Sequence, residues 1–340
     1  MRERERERER ERSTPKVSVI IPLYNKADYI KRAIDSVLAQ SEQDFEIIVV
    51  GGNSTDGGDR IVQKYTDSRI SLVKERSKGV SAARNQGVDI SKSNWIAFLD
   101  ADDEWQPNFL ETMLHLSYEY PDAGIYGCLY NYNEKNKPII DNKCNLAQNK
   151  NIILWRANSK KTYFYYCAVS GEYPIQTSGV LIPKTIFQEY NGFNTNMMFY
   201  EDVDLWDKIA FKYDICTTKE LLSIYHIECS SAIERIYACN NKYEQPFIKY
   251  IETVKEENIL PLRKDLDDIQ LYIESLSIEA ATVSEHYSKV EAINYLLSVH
   301  SKDLLIRKYM MMTALLLPKY CRKYLKTVLN RCRKLNIMNK

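Results

Sequence analysis

The stretch Trp95-Ile-Ala-Phe-Leu-Asp-Ala-Asp-Asp-Glu-Trp105 joins five apolar residues directly to a cluster of carboxylates. A short continuous apolar run is typical of a strand that is buried on both faces of a parallel sheet. The stretch therefore predicts that Asp100, Asp102 and Asp103 lie together at the carboxyl end of a strand. Such carboxylates repel one another, and Mg²⁺, which one or two carboxylates hold together with phosphates and water, would relieve the repulsion. An acidic, solvated turn that caps the next helix is the alternative at this point.

Three further apolar runs precede this stretch and alternate with segments of helical spacing. The predicted strands are Val17–Ile21, Glu46–Val50, Ile70–Val73 and Trp95–Leu99. This alternation predicts an α/β fold with a Rossmann-like, mostly parallel sheet flanked by helices. Ligands of such sheets bind at the carboxyl ends of the strands. Three polar segments are expected to converge there: 22–25, 51–56 and 100–103.

The second half of the domain contributes another strand and another acidic segment. Residues 176–183 predict a strand, and the apolar stripe after Glu201 and Asp202 predicts a helix. Asp202 is either the N-cap of this helix or, with Glu201, part of the site, where one of the two acts as a base. The aromatic cluster 163–166 is interpreted as part of the core or as a hairpin face. A platform for a sugar ring is the less favoured alternative.

Charge is distributed unevenly along a chain whose formal net charge is only +1, and the overall balance indicates no nucleic-acid partner. Residues 301–340 contain eleven Lys and Arg residues and one Asp, a net charge of +10 that leaves −9 for the first 300 residues. The pattern is helical from residue 233 onward, and the segment 318–340 combines an apolar stripe with a basic face. The presence of both faces favours attachment of this segment to an anionic membrane. The alternative is a helix that packs on the rest of the protein and exposes its basic face to solvent.

The N-terminal residues 1–15 are expected to form a disordered arm, because the Arg-Glu repeat has no apolar residue to bury. The eight cysteines include no CxxC pair, no secretory signal is recognised, and no apolar run approaches the ~20 residues of a membrane span. These features favour a cytoplasmic protein that is peripheral on the inner face of the cell membrane.

Five segments in a fixed order give the chain its resemblance to the family 2 glycosyltransferases, which are nucleotide-sugar enzymes with the GT-A fold. They are residues 17–25, 53–57, 79–87, 100–103 and 201–206. Each segment is weak alone, but the ordered set is specific and covers residues 16–231. The resemblance implies a GT-A domain at 16–232, with a nucleotide-sugar-binding half (16–117) and an acceptor-side half (118–232). A helical C-terminal extension (233–340) with a basic amphipathic tail would follow.

The resemblance also assigns roles to residues that match the family's motifs. The implied donor-binding residues are Pro22, Tyr24, Asn53, Asp56, Arg84, Asp100, Ala101 and Asp102. The implied catalytic residues are Asp202, as general base, and Glu201. The implied ligands of Mn²⁺ or Mg²⁺ are Asp102, Asp103 and His226.

One departure concerns the nucleotide base. The family usually has two aspartates after the second strand, one of which contacts the base, and this sequence has Gly51 and Gly52 there. The base contact is then expected from Asn53, Asp56 or the main chain.

The resemblance implies an inverting, metal-dependent glycosyltransferase. It would move a sugar from a nucleoside-diphosphate donor, a UDP-sugar foremost, to a hydroxyl of a glycan or lipid-linked acceptor. The expected process is bacterial surface polysaccharide synthesis, in capsule, lipopolysaccharide or O-antigen. The alternatives are a protein or teichoic acid acceptor, or a sugar-nucleotide binding module without catalysis. The missing aspartates leave the last alternative open, and the acidic pair at 201–202 argues against it.

Overall fold

The computed structural model describes residues 14–132, then 151–226 except 158, 160, 161, 171, 172 and 198. Beyond these it describes residues 250, 251, 254, 265–284, 293, 294, 296–305, 308, 309, 311 and 312. They form two compact units. The first unit contains the described residues up to Leu154 and those from Ile175 to His226, and the second contains the described residues of 155–174 and those from 250 onward. The predicted tail helix at 318–340 and nearly all of the predicted arm lie outside the described residues.

The first four strands of the first unit alternate with helices in the predicted order, and the strands after them include β5, β6, β7 and β9, which the sequence did not predict. The chain forms β1 (Val17–Pro22), α1 (Ala27–Leu38), β2 (Phe45–Gly51), α2 (Gly58–Val62), β3 (Ile70–Lys74), α3 (Val80–Ile90), β4 (Trp95–Phe98), β5 (Glu104–Trp105), α4 (Phe109–Glu119), β6 (Ala123–Tyr132) and β7 (Ile152–Trp155). After α5 (Tyr163–Ser170), which lies in the second unit, come a 3-10 turn (Thr177–Gly179), β8 (Val180–Pro183), α6 (Lys184–Glu189), α7 (Glu201–Lys212) and β9 (Asp214–Tyr225). The second unit also contains α8 (Leu266–Ser284) and a 3-10 turn (Lys302–Leu304).

The strands form one sheet, nine-stranded within the part of the chain that is described, in the order β3-β2-β1-β4-β8-β6-β9-β5, with β7 paired to β9. Strand β1 pairs in parallel with β2 and β4, and β2 pairs in parallel with β3. Strand β8 is antiparallel to both β4 and β6, whereas β6 and β9 are parallel. The predicted mostly parallel sheet flanked by helices is confirmed, and the strand ends predicted to carry the site belong to the neighbouring strands β1, β2 and β4.

Strand β1 is buried on both faces because a different helix packs on each. Val17, Val19 and Ile21 share a core cluster with the apolar stripe of α1. Ile20 points to the opposite face, toward α3. A β-carbon on Gly87 of α3 would lie 2.3 Å from a methyl carbon of Ile20, so glycine permits the close approach of this helix to the sheet. This packing fixes α3, which carries Arg84.

Residues 176–183 differ from the single strand that their sequence predicts. A 3-10 turn at Thr177–Gly179 precedes the short strand β8. The Ser178 hydroxyl accepts the backbone N–H of Asp100 at 3.0 Å and donates to the carboxylate of Asp103 at 2.6 Å. These hydrogen bonds to the acidic turn explain why the chain leaves the extended conformation here.

The aromatic cluster 163–166 forms a helix in the second unit and not a hairpin face. Tyr163, Phe164 and Tyr166 of α5 are buried. The ring centroid of Phe164 lies 5.6 Å from that of Tyr272 in α8. The interpretation as core is therefore correct, and these rings do not form an exposed sugar platform. Among the described helices, none has the length and apolar character needed to cross a membrane.

Candidate functional site

Arg84 lies at the centre of the site and joins two segments that are far apart in the sequence. Its Nη2 lies 2.6 Å from Oδ1 of Asp100, and its Nη1 lies 2.9 Å from Oε1 of Glu201. The side chain is 4% exposed, and its guanidinium carbon lies 5.3 Å from the centroid of the Phe193 ring. The acidic turn after β4 and the acidic start of α7 are therefore held around one cation.

Helix α3 positions Arg84 and also anchors the loop before α7. The helix follows Gly79, whose φ of +111° favours glycine. Asn85, the next residue after Arg84, donates its Nδ2 to the Phe193 carbonyl at 2.8 Å and accepts the Phe193 N–H at 2.9 Å. The loop that leads to Glu201 is thus tied to the helix that supplies its counter-ion.

The buried charges alter one another's pKa. Burial alone would lower the pKa of Arg84, but the charges of Asp100 and Glu201 outweigh this effect and raise it. Burial, followed by the charge of Asp202, raises the pKa of Glu201, and Arg84 opposes that rise. Arg84 is therefore a permanent cation in the site.

Asp103 is an internal residue, although the sequence predicts it as a metal ligand. It has no exposed surface. Besides the Ser178 hydroxyl, its carboxylate accepts the side-chain amide of Gln176 at 3.1 Å and the backbone N–H of His226 at 3.3 Å. Burial, followed by the charge of Asp100, raises the pKa of Asp103. Its contacts tie β4, the 3-10 turn and the end of β9 together.

Asp102 is more accessible than Asp103, and two cations contact it: Lys26, which immediately precedes α1, and Arg32 of α1. The Asp102 side chain is 14% exposed, and its Oδ2 lies 2.6 Å from Nζ of Lys26. Arg32 donates to the backbone carbonyl of the same residue. Burial, followed by the charge of Asp100, raises the pKa of the Asp102 carboxyl, and Lys26 opposes the rise. Ala101, between the two accessible aspartates, is buried.

His226 lies beside the acidic turn, and its side chain contacts Glu104. Its Nε2 lies 3.0 Å from Oε1 of Glu104, and the His226 side chain is 4% exposed. Across the described residues, no three His, Cys, Asp or Glu side chains converge in an arrangement that would hold a metal ion by themselves.

Asp202 lies in the first turn of α7, beside Glu201 and facing the 3-10 turn. Its Oδ2 accepts the hydroxyl of Thr177 at 2.7 Å, and its Oδ1 accepts the backbone N–H of Val203 at 2.8 Å. The positive end of the helix dipole favours a carboxylate here. Tyr200, which precedes the helix, has a left-handed φ of +59°, an uncommon conformation for an aromatic residue.

The end of β1 and the turn after β2 form a second, connected part of the site. Tyr24, which follows Pro22 at the end of β1, is 62% exposed. Asn25 joins the two segments, because its N–H donates to the Ser54 hydroxyl at 3.2 Å and its Oδ1 accepts the Thr55 N–H at 2.9 Å. The predicted convergence of the segments 22–25 and 51–56 is therefore observed.

Asp56 and Asn53, both predicted donor contacts, make hydrogen bonds within the protein. Asp56 accepts the N–H of Ala27 at 2.7 Å and that of Gly58 at 3.0 Å, and thereby caps the starts of α1 and α2. Asn53 donates its Nδ2 to Glu75. These contacts account for the two side chains without a ligand.

The space of the missing aspartates is partly filled by Asp59 of α2. A β-carbon on Gly51 would lie 2.8 Å from Oδ1 of Asp59, and that oxygen accepts the Gly52 N–H at 3.1 Å. Gly52 has a φ of +103°, which favours glycine. An open cavity of about 400 Å³ adjoins this turn, lined by Asp59 and Arg60 of α2, by Gln63 directly after that helix and by residues 54–57.

Sequence reasoning missed four residues that shape the site: Lys26, Asp59, Thr177 and Ser178. Lys26 directly follows the recognised segment 17–25, but its position in the sequence does not indicate its partner. The other three carry no sequence signal, since a hydroxyl or a carboxylate in a turn has many partners until the chain is folded.

Residues 18–173 match the model of the family described as Glycosyl transferase family 2. TuaG of Bacillus subtilis strain 168, a glycosyltransferase proposed to act in teichuronic acid biosynthesis, is 43% identical over 108 residues, which are 31% of this chain and 43% of TuaG. In seven of eight curated relatives the alignment spans less than half of the relative's own length, and in the eighth it spans 80%.

Two solved structures are similar in fold. S. aureus TarS (residues 1–349) in complex with UDP-GlcNAc has a TM-score of 0.63 at 15% identity, covering 87% of this chain and 86% of that one. Mannosyltransferase PcManGT from Pyrobaculum calidifontis, in complex with GDP-Man and Mn²⁺, has a TM-score of 0.51 at 18% identity, covering 93% and 87%. The sheet, its flanking helices and these neighbours confirm the GT-A fold.

Proposed function

We propose that the chain, whose residues 18–173 match the model of glycosyl transferase family 2, is an inverting transferase. It moves a sugar from a nucleoside-diphosphate donor to a hydroxyl of a glycan or lipid-linked acceptor. The observation that carries this proposal is the Arg84 bridge, with Asp100 on one side at 2.6 Å and Glu201 on the other at 2.9 Å. The bridge holds donor-side and acceptor-side carboxylates around one site.

The donor lies across the carboxyl ends of β1, β2 and β4 in this proposal. The exposed ring of Tyr24 offers a stacking surface for the base, next to the polar cavity lined by Asp59 and residues 54–57. Arg84 is held close to the Asp100 carboxylate and supplies a fixed positive charge near the diphosphate. A UDP-sugar is the first donor to test, since one fold neighbour holds UDP-GlcNAc.

The acidic turn fits a divalent cation that is shared with the donor. Asp102 is partly accessible, and burial and the Asp100 charge raise the pKa of its carboxyl, so a cation there would relieve both effects. Mn²⁺ or Mg²⁺ needs only one or two protein carboxylates when phosphate oxygens and water complete its shell. When bound, the cation would stabilise the charge that develops on the leaving diphosphate. Asp103 and His226 would act behind Asp102, through the contacts that hold the turn.

Asp202 is the general base of the proposed reaction. Glu201 is engaged by Arg84, whereas the partner of Asp202 is a neutral hydroxyl, that of Thr177. Asp202 takes the proton of the acceptor hydroxyl as that oxygen bonds to the anomeric carbon and the bond to the diphosphate breaks. A single displacement of this kind inverts the configuration. General-base help contributes about 10²–10⁴ in rate.

The test is the variant Asp202→Asn, assayed for sugar transfer and for donor binding. We expect transfer to fall by about 10²–10⁴-fold, with donor binding unchanged, because the base acts on the acceptor. Asp267→Asn is the matched control, since Asp267 lies exposed in the first turn of α8. Near-normal turnover by Asp202→Asn would reject Asp202 as the base.

Donor identity is tested by thermal stabilisation with a panel of nucleotide sugars, each with and without Mn²⁺. A bound donor stabilises the folded protein by mass action and so raises its melting temperature. At a donor concentration of a hundred times the Kd, the free energy of unfolding rises by about 2.7 kcal/mol. Stabilisation by a donor without any transfer or donor hydrolysis would favour the alternative of a binding module. Stabilisation that does not depend on Mn²⁺ would contradict the proposed metal.

The proposed acceptor belongs to a bacterial surface polysaccharide, a choice supported by the process named for TuaG. A protein or teichoic acid acceptor is the alternative. The proposed location is the cytoplasmic face of the membrane, where a lipid-linked acceptor would be available to an enzyme held there by a basic tail.

A further inference from the structure

Lys26 pairs with the carboxylate of Asp102, which is the group proposed above to bind a divalent cation. Its Nζ lies 2.6 Å from Oδ2 of Asp102, and the side chains of Lys26 and Asp102 are 19% and 14% exposed. At this distance the contact is a charge-assisted hydrogen bond. The chain therefore places a positive charge of its own on the partly exposed carboxylate of Asp102, whereas Asp100, which is 29% exposed, is paired with Arg84.

The position of Lys26 in the fold makes this contact specific. Lys26 immediately precedes α1, and its backbone carbonyl accepts the N–H of Ile30 at 2.9 Å, which fixes the backbone from which the side chain extends. Arg32, on the second turn of the same helix, donates to the backbone carbonyl of Asp102. The acidic turn is thus contacted at the backbone carbonyl of Asp102 by Arg32 of α1, and at the Asp102 carboxylate by Lys26, just before α1.

The two contacts differ in what a cation can replace. The Arg32 contact uses a backbone oxygen and leaves the carboxylate untouched. The Lys26 contact uses the carboxylate oxygen itself, and a flexible four-carbon stem lets the ammonium leave without moving the helix. A Mn²⁺ ion at Asp102 and the Lys26 ammonium compete for the same negative charge.

We propose that Lys26 is an exchangeable counter-ion: it neutralises Asp102 when the donor site is empty and competes with the divalent cation for that carboxylate. The inference rests on the proposed function, because it concerns the metal of the same site. It explains how a turn with three aspartates folds without metal. It also means that the metal affinity of the empty enzyme is lower than Asp102 alone would give.

The test measures Mn²⁺ binding to nucleotide-free protein, by calorimetry or by the electron paramagnetic resonance signal of free Mn²⁺. We expect Lys26→Met to bind Mn²⁺ about tenfold more tightly than the wild type, which corresponds to about 1.4 kcal/mol. We expect Lys26→Arg to bind it more weakly, because a guanidinium pairs more firmly with a carboxylate. The matched control is Lys31→Met, which removes an exposed lysine of the same helix that pairs with Asp35, and its affinity should equal that of the wild type.

A second readout is thermal stability. Lys26→Met should melt at a lower temperature than the wild type without metal, and Mn²⁺ should stabilise it more. If Lys26→Met does not fold, the weaker Mn²⁺ binding expected of Lys26→Arg still tests the proposal. Equal or weaker Mn²⁺ binding by Lys26→Met, or equal binding by Lys26→Arg, overturns it.

The assays also separate this inference from the proposed function. Wild-type transfer that depends on Mn²⁺, together with unchanged Mn²⁺ affinity in both Lys26 variants, rejects the counter-ion role and leaves the transferase proposal standing. Transfer that is unaffected by a chelator, with no Mn²⁺ binding by the wild type, rejects the metal and the counter-ion role together. Absence of donor binding and of transfer in the wild type rejects the function itself.

Discussion

At the scale of single residues, Arg84 is the buried cation that pairs with two carboxylates of the site, those of Asp100 and Glu201. It is almost fully buried and pairs with carboxylates that lie 16 and 117 positions away in the sequence. Buried charges are costly unless they are paired, so each member of the trio depends on the others. The pair with Asp100 lies at the carboxyl end of β4, and the pair with Glu201 fixes the first turn of α7 next to the proposed base. One side chain therefore serves both stability and geometry.

Arg84→Met should be strongly destabilising, because it leaves two partly buried carboxylates without their cation. We expect a loss of about 3 kcal/mol in the free energy of unfolding, measured by urea denaturation. Adding Glu201→Gln to this variant should recover part of the loss, since one of the unpaired charges is removed.

The control for this prediction is Arg69→Met, whose guanidinium pairs with Asp67 at the surface, with side chains 30% and 29% exposed. A partly exposed pair contributes about 0–1 kcal/mol. Equal losses in the two variants would show that the Arg84 pairs have no special weight.

At the scale of elements, the 3-10 turn Thr177–Gly179 joins the two acidic segments. Thr177 donates to Asp202, and Ser178 both accepts from Asp100 and donates to Asp103. Antiparallel strand β8 follows the turn directly and pairs with β4, whose carboxyl end carries the acidic turn. The sheet thus holds the 3-10 turn in place, and the turn orients the carboxylates of Asp103 and Asp202.

Ser178→Ala should weaken the protein at this turn, because the buried Asp103 carboxylate and the Asp100 N–H each lose a partner. We expect a loss of about 2 kcal/mol in the free energy of unfolding, typical of a buried hydrogen bond to a charged group. Chemical denaturation measures it. Ser41→Ala, which removes an exposed hydrogen bond to Glu111, should change the free energy of unfolding by less than about 0.5 kcal/mol. If Ser178→Ala also lowers the free energy of unfolding by less than about 0.5 kcal/mol, the 3-10 turn does not stabilise the acidic segments as proposed.

At the scale of the whole molecule, the described residues divide into a unit that contains the sheet and the candidate site and a second, helical unit. The net charge of +10 over residues 301–340 contrasts with −9 over the first 300, so the molecule has a strong charge asymmetry along its sequence. Each Lys or Arg near an anionic leaflet contributes about 1 kcal/mol of attraction. This asymmetry, and not the GT-A fold, motivates the proposed membrane attachment.

Deleting residues 318–340 should release the protein from anionic vesicles. We expect the partition coefficient to fall by at least roughly a hundredfold, since seven basic residues between 319 and 334 are removed. Co-sedimentation with vesicles of anionic and of zwitterionic lipid measures the effect, and binding by the intact chain should weaken with salt. Unchanged co-sedimentation of the truncated protein would place the attachment elsewhere or exclude it.

The sequence was sufficient for the order of strands and helices in the first half and for the place of the site. Apolar runs such as 17–21 and 95–99 are continuous because their strands are buried on both faces, and this pattern is local. The boundaries of β1 to β4 follow the prediction within one residue. The polar loops of neighbouring parallel strands meet where the strands end, so the sequence was sufficient to predict the convergence of 22–25 with 51–56.

The tertiary structure alone decided which side chain meets which. Arg84 and Glu201 are distant in sequence, Ser178 lies in a segment that reads as strand, and Asp59 enters the space beside Gly51 from the next helix. Lys26 on Asp102 is the clearest case, because any of several lysines has the same local pattern. A chain's periodicity records how each segment is buried, but pairing between polar groups depends on distances of a few ångströms that are set only when the whole sheet and its helices have packed.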